Sequence, residues 1–207
     1  MIKYVVNQVP PLGANCYIVY DDDTKKCLII DLGGDFSKIL GQAEGLGLDV
    51  KGVVLTHGHF DHVAGAIRCR EHGIPVYVSQ EDAKMLSSRT NLSEYAGYGY
   101  LSFEADGILH EGENEIGGIK FEVIKTPGHT AGSVCVLIDN KLFSGDTLFA
   151  LSYGRYDFPT GDFTELKNSI INKLFKLDGE IEVLPGHEGR TTINHERKYN
   201  PINEDNY

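Results

Sequence analysis

The chain has 207 residues, of which 41% are hydrophobic and 24% are charged, a composition usual for globular proteins. Its formal net charge of −11 disfavours a nucleic acid as partner, because binding a phosphate backbone requires clustered lysine and arginine. No apolar run is long enough to span a membrane, and residues 1–22 lack the basic and apolar regions of a secretion signal, so we expect a cytoplasmic protein without a membrane partner.

The N-terminal half alternates short apolar runs with turns and amphipathic stretches. Residues 35–46 show the spacing of one apolar helix face, and the run at 52–55 leads into a loop rich in histidine. The predicted strands are 2–9, 16–20, 27–30, 52–55 and 76–78, and the predicted helices are 35–46, 62–72 and 81–86.

Residues 87–103 have no clear periodicity and contain Tyr95, Tyr98 and Tyr100. They could form an aromatic lip over a pocket or a loop packed against the core. We favour packing, because aromatic side chains are more often buried than used for binding.

The second half has a similar rhythm of strands and helices. Asp162 and Glu165 have the spacing of a capping box and predict the start of a helix. The predicted strands are 119–125, 133–138, 141–143 and 181–184, and the predicted helices are 162–177 and 192–199. Since strands and helices mix throughout without a linker, we predict one α/β domain over residues 1–207.

The segment that follows the strand at 52–55 carries the densest group of possible metal ligands. His57, His59, Asp61 and His62 lie within six positions, and imidazole nitrogens with a carboxylate oxygen suit borderline cations such as Zn²⁺. One metal that keeps an open position cannot use them all. The spacing therefore favours two adjacent metals that share the loop.

Three later segments repeat one pattern, an apolar run that ends in a ligand-type residue. They end in His129, Asp146 and His187, and both histidines follow a Pro-Gly pair that lets the backbone turn. Each residue alone would be interpreted as a loop, core or capping residue. Together with the histidine loop they complete a ligand set, whereas His72, His110 and His195 have no such context and are predicted to lie on the surface.

The four cysteines, Cys16, Cys27, Cys69 and Cys135, form no C-x-x-C pair. We expect buried, reduced thiols rather than disulfides or a catalytic cysteine.

The residues His57-Gly58-His59-Phe60-Asp61-His62, followed by His129, Asp146 and His187, resemble the ligand signature of the metallo-β-lactamase fold superfamily. The resemblance implies an αβ/βα sandwich of four layers, with two mixed β-sheets face to face and helices outside. It implies one metal at His57, His59 and His129 and a second at Asp61, His62 and His187. Asp146 is implied to bridge the two ions, which are expected to be zinc, with iron or manganese as alternatives.

Within this superfamily, residues 145–149 and 154–162 and the C-terminal residues 191–201 resemble the short bacterial glyoxalase II-like hydrolases. Full-length glyoxalase II carries a C-terminal helical segment that holds glutathione, whereas this chain ends soon after Pro201. We therefore expect the thioester chemistry of that group with weaker selection for glutathione.

The expected function is hydrolysis of S-lactoylglutathione or a related S-acyl thioester by a hydroxide that bridges the metals. Asp61 is expected to orient that hydroxide as a catalytic residue. Arg155 is expected either to bind a substrate carboxylate or to brace its loop by an ion pair with Asp157 or Asp162. The alternatives are a single-iron persulfide dioxygenase, a lactonase or another ester hydrolase on the same scaffold, and a metal-binding module without activity. Oligomeric state stays open.

Overall fold

The computed structural model describes residues 1–204, and its framework is a pair of six-stranded mixed β-sheets. The strands of the first sheet lie side by side in chain order. They are β1 (Ile2–Val9), β2 (Ala14–Asp21), β3 (Lys26–Ile30), β4 (Asp49–Val54), β5 (Val76–Ser79) and β6 (Gly107–Leu109). β1 to β3 pair antiparallel and β3 to β6 pair parallel, so the parallel strands are joined by helical crossovers.

The second sheet uses strands from the later part of the chain. In chain order the remaining strands are β7 (Gly112–Ile116), β8 (Ile119–Lys125), β9 (Val134–Ile138), β10 (Lys141–Gly145), β11 (Leu148–Phe149), β12 (Ser152–Tyr153), β13 (Glu182–Pro185) and β14 (Thr191–Thr192). β11 and β12 form a separate ribbon, and the others lie in the order β14–β13–β10–β9–β8–β7. β10 and β13 are parallel, and the other pairs of this sheet are antiparallel.

The α-helices are short. They are α1 (Phe36–Gly45), α2 (Phe60–Val63), α3 (Phe163–Asn168) and α4 (Ile193–Tyr199). Within residues 1–204, no helix has the length and apolar character needed to cross a membrane.

The hydrophobic core is divided into layers by the alternation of side chains along each strand. On β2, Tyr17 and Val19 pack between the two sheets together with Phe143 of β10. The neighbouring Ile18 faces the other way, into the cluster that includes Ile39 of α1. A third cluster packs α3 and the turns after it on the outer face of the second sheet. These layers confirm the predicted αβ/βα sandwich.

The predicted helix at 62–72 is wrong as a continuous element. The structure has α2, then separate 3₁₀ turns at Ala66–Arg68 and Arg70–His72. The amide of Ala66 donates to the carbonyl of Leu32 at 3.1 Å rather than continuing a helical ladder. At Gly65 a Cβ would lie 2.8 Å from that same carbonyl oxygen, so the backbone packs there against the loop after β3.

The predicted helix at 162–177 is helical throughout most of its length, but it is not uniform. Asp162 caps α3 as predicted, because its Oδ1 accepts from the amide of Glu165 at 2.8 Å. A π-helical turn follows at Ser169–Lys173 and a 3₁₀ turn at Leu174–Lys176. The widened turn brings the hydroxyl of Ser169 within 2.8 Å of the carbonyl of Pro127, to which it donates.

Main-chain and tyrosine contacts join the two sheets at one edge of the sandwich. Tyr17 donates its hydroxyl to the carbonyl of Pro185 at 2.7 Å, and the amide of Val134 donates to the carbonyl of Thr56 at 2.9 Å. Pro185 and Thr56 each stand just before candidate ligands. This edge therefore positions the loops that carry them.

Candidate metal centre

The loops at this edge bring every predicted ligand into one cluster. The histidine loop follows β4, and the other ligands follow β8, β10 and β13. The residues that the fold brings together are His57, His59, Asp61, His62, His129, Asp146 and His187. By contrast, His72, His110 and His195 are exposed, as predicted.

The first group consists of His57, His59 and His129, whose ligand atoms lie within 4.8 Å of one another. The Nδ1 of His59 is 2.9 Å from the Nε2 of His129, so a proton or a cation must lie between the two nitrogens. The Nδ1 of His129 donates to the carbonyl of Arg155 at 2.6 Å. That bond fixes the tautomer and leaves Nε2 with a lone pair for a metal.

The second group consists of Asp61, His62 and His187. The Nε2 of His187 is 3.2 Å from the Oδ2 of Asp61 and 3.3 Å from the Nε2 of His62. The three ligand atoms thus face a common point, as the spacing of the histidine loop predicts.

Asp146 lies between the two groups. Its Oδ2 is 3.7 Å from the Nε2 of His129 and 3.6 Å from the Nε2 of His187. Its Oδ1 is 3.3 Å from the Nε2 of His62, without the alignment of a hydrogen bond. Gly186 permits this approach, because a Cβ there would lie 2.2 Å from Asp146 Oδ1. A carboxylate that touches both groups has the placement expected of a bridging ligand.

Asp31 is a functional residue that the sequence analysis missed. Its buried carboxylate accepts from the amide and the hydroxyl of Thr56 at 2.8 and 2.7 Å and from the Nδ1 of His62 at 2.9 Å. It therefore orients His62 so that Nε2 faces the cluster. The sequence contains a signal that could have identified Asp31, because Asp31 directly follows the apolar strand β3 as Asp146 directly follows β10.

The cluster has buried polar atoms that no other group in residues 1–204 satisfies. They are His57 Nε2, His59 Nε2 and Asp146 Oδ1. A buried polar atom without a partner costs about 1–3 kcal/mol, so folds rarely leave several in one place. Imidazole nitrogens and carboxylate oxygens are donors for zinc, iron and manganese. His59 directs its Nδ1 toward His129, so His57 Nε2 and Asp146 Oδ1 are the open atoms that fit a cation site in the cluster.

The pKa values of the metal-free cluster differ between its two halves. Burial, and then the neighbouring imidazoles, hold the pKa of His57 and His59 well below the usual range, so both are neutral and ready to ligate. Burial alone would also lower the pKa of His62, but Asp146 and Asp61 outweigh it and raise the value to about 10. Without metal, the second group therefore carries a proton.

Burial alone would likewise raise the pKa of Asp61, but His62 and then His187 lower it below its usual value. Asp61 is therefore a carboxylate even in the metal-free protein, which is the form that can ligate a cation.

A cavity of about 280 Å³ opens over the cluster, and most of its wall is apolar. Apart from the candidate ligands, it is lined by Leu12, Phe60, Leu92, Phe149, Tyr153, Arg155 and Phe158. The rings of Phe149 and Phe158 contact His187 and His59 edge-on, with centroids 6.2 and 5.5 Å apart. The wall suits an apolar group placed directly above the ligands.

Arg155 lines this cavity, but its guanidinium is already paired. Its Nε and Nη2 donate to the two carboxylate oxygens of Asp157 at 2.9 and 2.7 Å. The same guanidinium stacks 4.1 Å from the ring centre of Phe158. The structure therefore shows the bracing ion pair, and of the two expected partners it uses Asp157.

The prediction that residues 87–103 pack against the core is confirmed for part of the segment and wrong for its tyrosines. Tyr95, Tyr98 and Tyr100 have relative exposures of 87%, 60% and 57%. Tyr98 stacks on Phe60 at 5.4 Å between centroids, close to the cavity wall. Other residues of this segment, including Leu101 and Phe103, pack against the core.

Comparisons with known proteins agree with this geometry. The model of the Metallo-beta-lactamase superfamily matches residues 9–187, which include every candidate ligand. The hydroxyacylglutathione hydrolase GloC of Haemophilus influenzae is 37% identical over 197 residues, which cover 91% of this chain and 92% of that protein.

Two solved structures share the fold over nearly their whole length. The crystal structure of BLEG-1, described as a B3 metallo-beta-lactamase, has a TM-score of 0.89 and 36% identity and covers 98% of this chain and 99% of its own. The crystal structure of TTHA1623 in a di-iron-bound form has a TM-score of 0.86 and 32% identity and covers 96% of this chain and 99% of its own. With the sandwich, the ligand loops and these matches in agreement, the chain belongs to the metallo-beta-lactamase superfamily and is a metallo-hydrolase of that family.

Proposed function

We propose that the protein hydrolyses small acyl thioesters, with S-lactoylglutathione or a related S-acyl thioester as the candidate substrate. The observation that carries the proposal is the geometry of two ligand groups joined by Asp146 beneath an apolar cavity. The similarity to a hydroxyacylglutathione hydrolase over most of both chains supports the thioester class.

In this proposal His57, His59 and His129 would hold one divalent metal ion, Asp61, His62 and His187 would hold a second, and Asp146 would be a ligand shared by the two groups. A pair of such ions lowers the pKa of water toward neutrality and polarises a carbonyl group. Zinc, iron and manganese all fit the donor set. The di-iron form of TTHA1623 makes iron a serious candidate alongside zinc.

Asp61 is the proposed catalytic residue beyond its role as a ligand. It lines the cavity, and its lowered pKa keeps it a carboxylate in the metal-free protein. A carboxylate at this place accepts a hydrogen bond from the attacking water and orients its lone pair toward the thioester carbonyl.

The cavity wall supplies binding rather than proton transfer. Leu12, Phe149 and Phe158 would surround the acyl group and exclude bulk water from the reacting carbonyl. Arg155 is the proposed contact for a substrate carboxylate, in competition with Asp157. Free, buried cysteines accord with a reducing cytoplasm, where we place this small-molecule enzyme without nucleic-acid or membrane partners.

The test is to purify the protein without added metal, measure its metals, and assay S-lactoylglutathione beside a neutral lactoyl thioester. We expect two equivalents of metal per chain and hydrolysis that chelation abolishes and added metal restores. A β-lactam and a lactone belong in the same panel, because BLEG-1 is described as a lactamase. Metal-loaded protein that hydrolyses no thioester would refute the proposal.

The second candidate is persulfide dioxygenation at a single iron. It is favoured by the likeness to the dioxygenase ETHE1 of Myxococcus xanthus, whose crystal structure has a TM-score of 0.78 and 27% identity and covers 97% of this chain and 83% of its own. This candidate expects one iron per chain and oxygen uptake with glutathione persulfide. Two metals per chain without oxygen uptake would exclude it.

A further inference from the structure

A second buried carboxylate, Asp82, lies beside the centre but outside the candidate ligand set. It begins the 3₁₀ helix Asp82–Ser87, which follows β5, and its relative exposure is 1%. Burying a carboxylate costs free energy unless its oxygens accept hydrogen bonds. The groups that donate to Asp82 therefore indicate its structural role.

Its partners come from two loops that are far apart in the chain. Oδ2 of Asp82 accepts from the amide of Gly58 at 2.9 Å and from the hydroxyl of Thr130 at 2.7 Å. Oδ1 accepts from the amide of Gly132 at 2.9 Å. Gly58 stands between His57 and His59, and Thr130 directly follows His129. The carboxylate thus ties together the loops that carry all three histidines of the first group.

The second group has a different anchor. Its His62 is oriented by Asp31, which accepts from the Nδ1 of His62 and from Thr56. The hydroxyl of Thr56 also lies 3.1 Å from the Nδ1 of His57, so Asp31 supports the histidine loop as a whole. Of these two carboxylates, Asp82 is the one that bonds both to the histidine loop and to the loop of His129. This difference makes the role of Asp82 separable from that of Asp31.

We propose that Asp82 is a positioning residue for the first ligand group, which sets the distance between the His57–His59 loop and His129. The proposal rests on the assignment of these histidines as metal ligands, but not on thioester hydrolysis. Loss of such an orienting partner typically weakens metal binding by about 10- to 100-fold.

Asp82→Asn is the sharpest test, because it keeps the shape of the side chain but replaces one accepting oxygen by a donating NH₂ group. All three groups that bond to the Asp82 carboxylate are donors. In the variant, at least one backbone N–H must therefore face the NH₂ group and lose its hydrogen bond. The matched control is Asp106→Asn. Oδ2 of Asp106 accepts from the amide of Val76 at 2.9 Å, at the end of β5 remote from the centre, and an amide oxygen can keep that bond.

The measurement is the dissociation constant of each metal, from competition of Zn²⁺ with a chromophoric chelator, with Co²⁺ absorption as a second signal. In Asp82→Asn we expect one constant to rise by at least about tenfold and the other to change by less than about threefold. Asp106→Asn should change neither. If both constants stay unchanged, or rise by the same factor, the proposal is wrong.

A pair of milder variants keeps the test decisive if Asp82→Asn does not fold. Thr130→Val removes the hydroxyl that donates to Asp82 and that also contacts the hydroxyl of Ser133, and Thr130→Ser keeps both contacts. The valine variant should weaken the same metal by a smaller factor, and the serine variant should restore wild-type binding. Equal constants in the two variants would refute the proposal. If the wild type binds a single metal, the dissociation constant of that metal should rise in Asp82→Asn and Thr130→Val and stay unchanged in Thr130→Ser. The role of Asp82 can therefore be tested even if the proposal of two metals is wrong.

Discussion

Asp146 is the candidate ligand whose replacement should lower activity most. It lies 3.6 to 3.7 Å from one histidine of each ligand group, and its negative charge opposes the repulsion of two adjacent cations. Asp146→Ala should therefore lower kcat/KM more than replacement of any single histidine, by at least about 100-fold, above the effect of residues that only orient a ligand.

The measurement pairs metal content with kcat/KM for Asp146→Ala and for His129→Ala as the single-histidine comparison. If Asp146→Ala retains both metals and near-normal turnover, Asp146 does not bridge.

Arg155 and Asp157 offer a test of substrate charge. Each group is more than half exposed, so their ion pair competes with a bound anion only moderately. Asp157→Asn should free the guanidinium and lower KM for S-lactoylglutathione by roughly two- to fivefold, with no change for a neutral lactoyl thioester.

The control is the double variant Arg155→Gln, Asp157→Asn, which should lose the gain. An equal fall in KM for both thioesters would mean that the substitution widened the cavity instead of freeing a cation.

His62 should make the metal-free protein sensitive to alkali. Its folded-state pKa of about 10 lies above the usual histidine value of 6.5, because Asp146 and Asp61 outweigh the effect of burial. A raised pKa means that the ion pairs stabilise the fold fully below pH 6.5 and less as pH rises through about 10. The melting temperature in chelator should therefore fall from pH 6.5 to 10.

Metal displaces this proton, so the loaded protein should show a flatter profile over the same range. His62→Gln removes the titrating group and should flatten the profile of the metal-free protein as well. A steep fall that persists in His62→Gln would assign the effect to another group.

At the scale of elements, α3 supports the loop of His129 from outside. The amide of Asp162 donates to the carbonyl of Gly128 at 2.8 Å, and the side chain of Asp162 caps the helix. Asp162→Ala should lower the free energy of unfolding by about 1 kcal/mol, as for other helix caps. Urea denaturation of the metal-free protein measures it.

The comparison is Thr192→Ala, which removes the cap of α4, where the hydroxyl accepts from His195 at a longer 3.3 Å. Thr192→Ala should lower the free energy of unfolding by less than Asp162→Ala does. If the two variants lose the same free energy, hydrogen-bond length is not what distinguishes the caps.

Elements with strong periodicity were predictable, and elements defined by their neighbours were not. β8 and α1 have apolar patterns that match their buried faces. β6, β11 and β12 have only two or three residues each, and they become strands because a partner supplies their hydrogen bonds. The break after α2 arises similarly, from a bond between Ala66 and Leu32 that no local pattern indicates.

At the scale of the molecule, the net charge of −11 and the apolar cavity should limit selection for glutathione. A negatively charged tripeptide is repelled at long range, and the guanidinium of Arg155, which lines the cavity, is paired with Asp157. We expect kcat/KM for S-lactoylglutathione to lie within about tenfold of that for a neutral lactoyl thioester, and the ratio to improve with added salt.

A preference of about 100-fold for the glutathione ester, nearly 3 kcal/mol of transition-state binding, would show a glutathione site that this cavity does not explain. If added salt does not change the ratio of the two kcat/KM values, long-range charge repulsion does not limit selection for glutathione.

The metal-binding chemistry of the centre could be predicted from the sequence, because the types of possible ligand are residue identities. Their positions could be predicted too, because each ligand segment follows an apolar run that reads as a strand. The metallo-β-lactamase resemblance then supplied the layered fold and the pairing of ligands, which periodicity alone does not specify. The roles of Asp31 and Asp82, the ion pair of Arg155 and the exposed tyrosines were decided only by tertiary structure. The roles of Asp31 and Asp82 depend on which distant backbone groups and side chains meet at one edge of the sandwich, and such contacts leave no periodic signal along the chain. For Arg155 the sequence left two alternatives, and the structure shows the ion pair with Asp157.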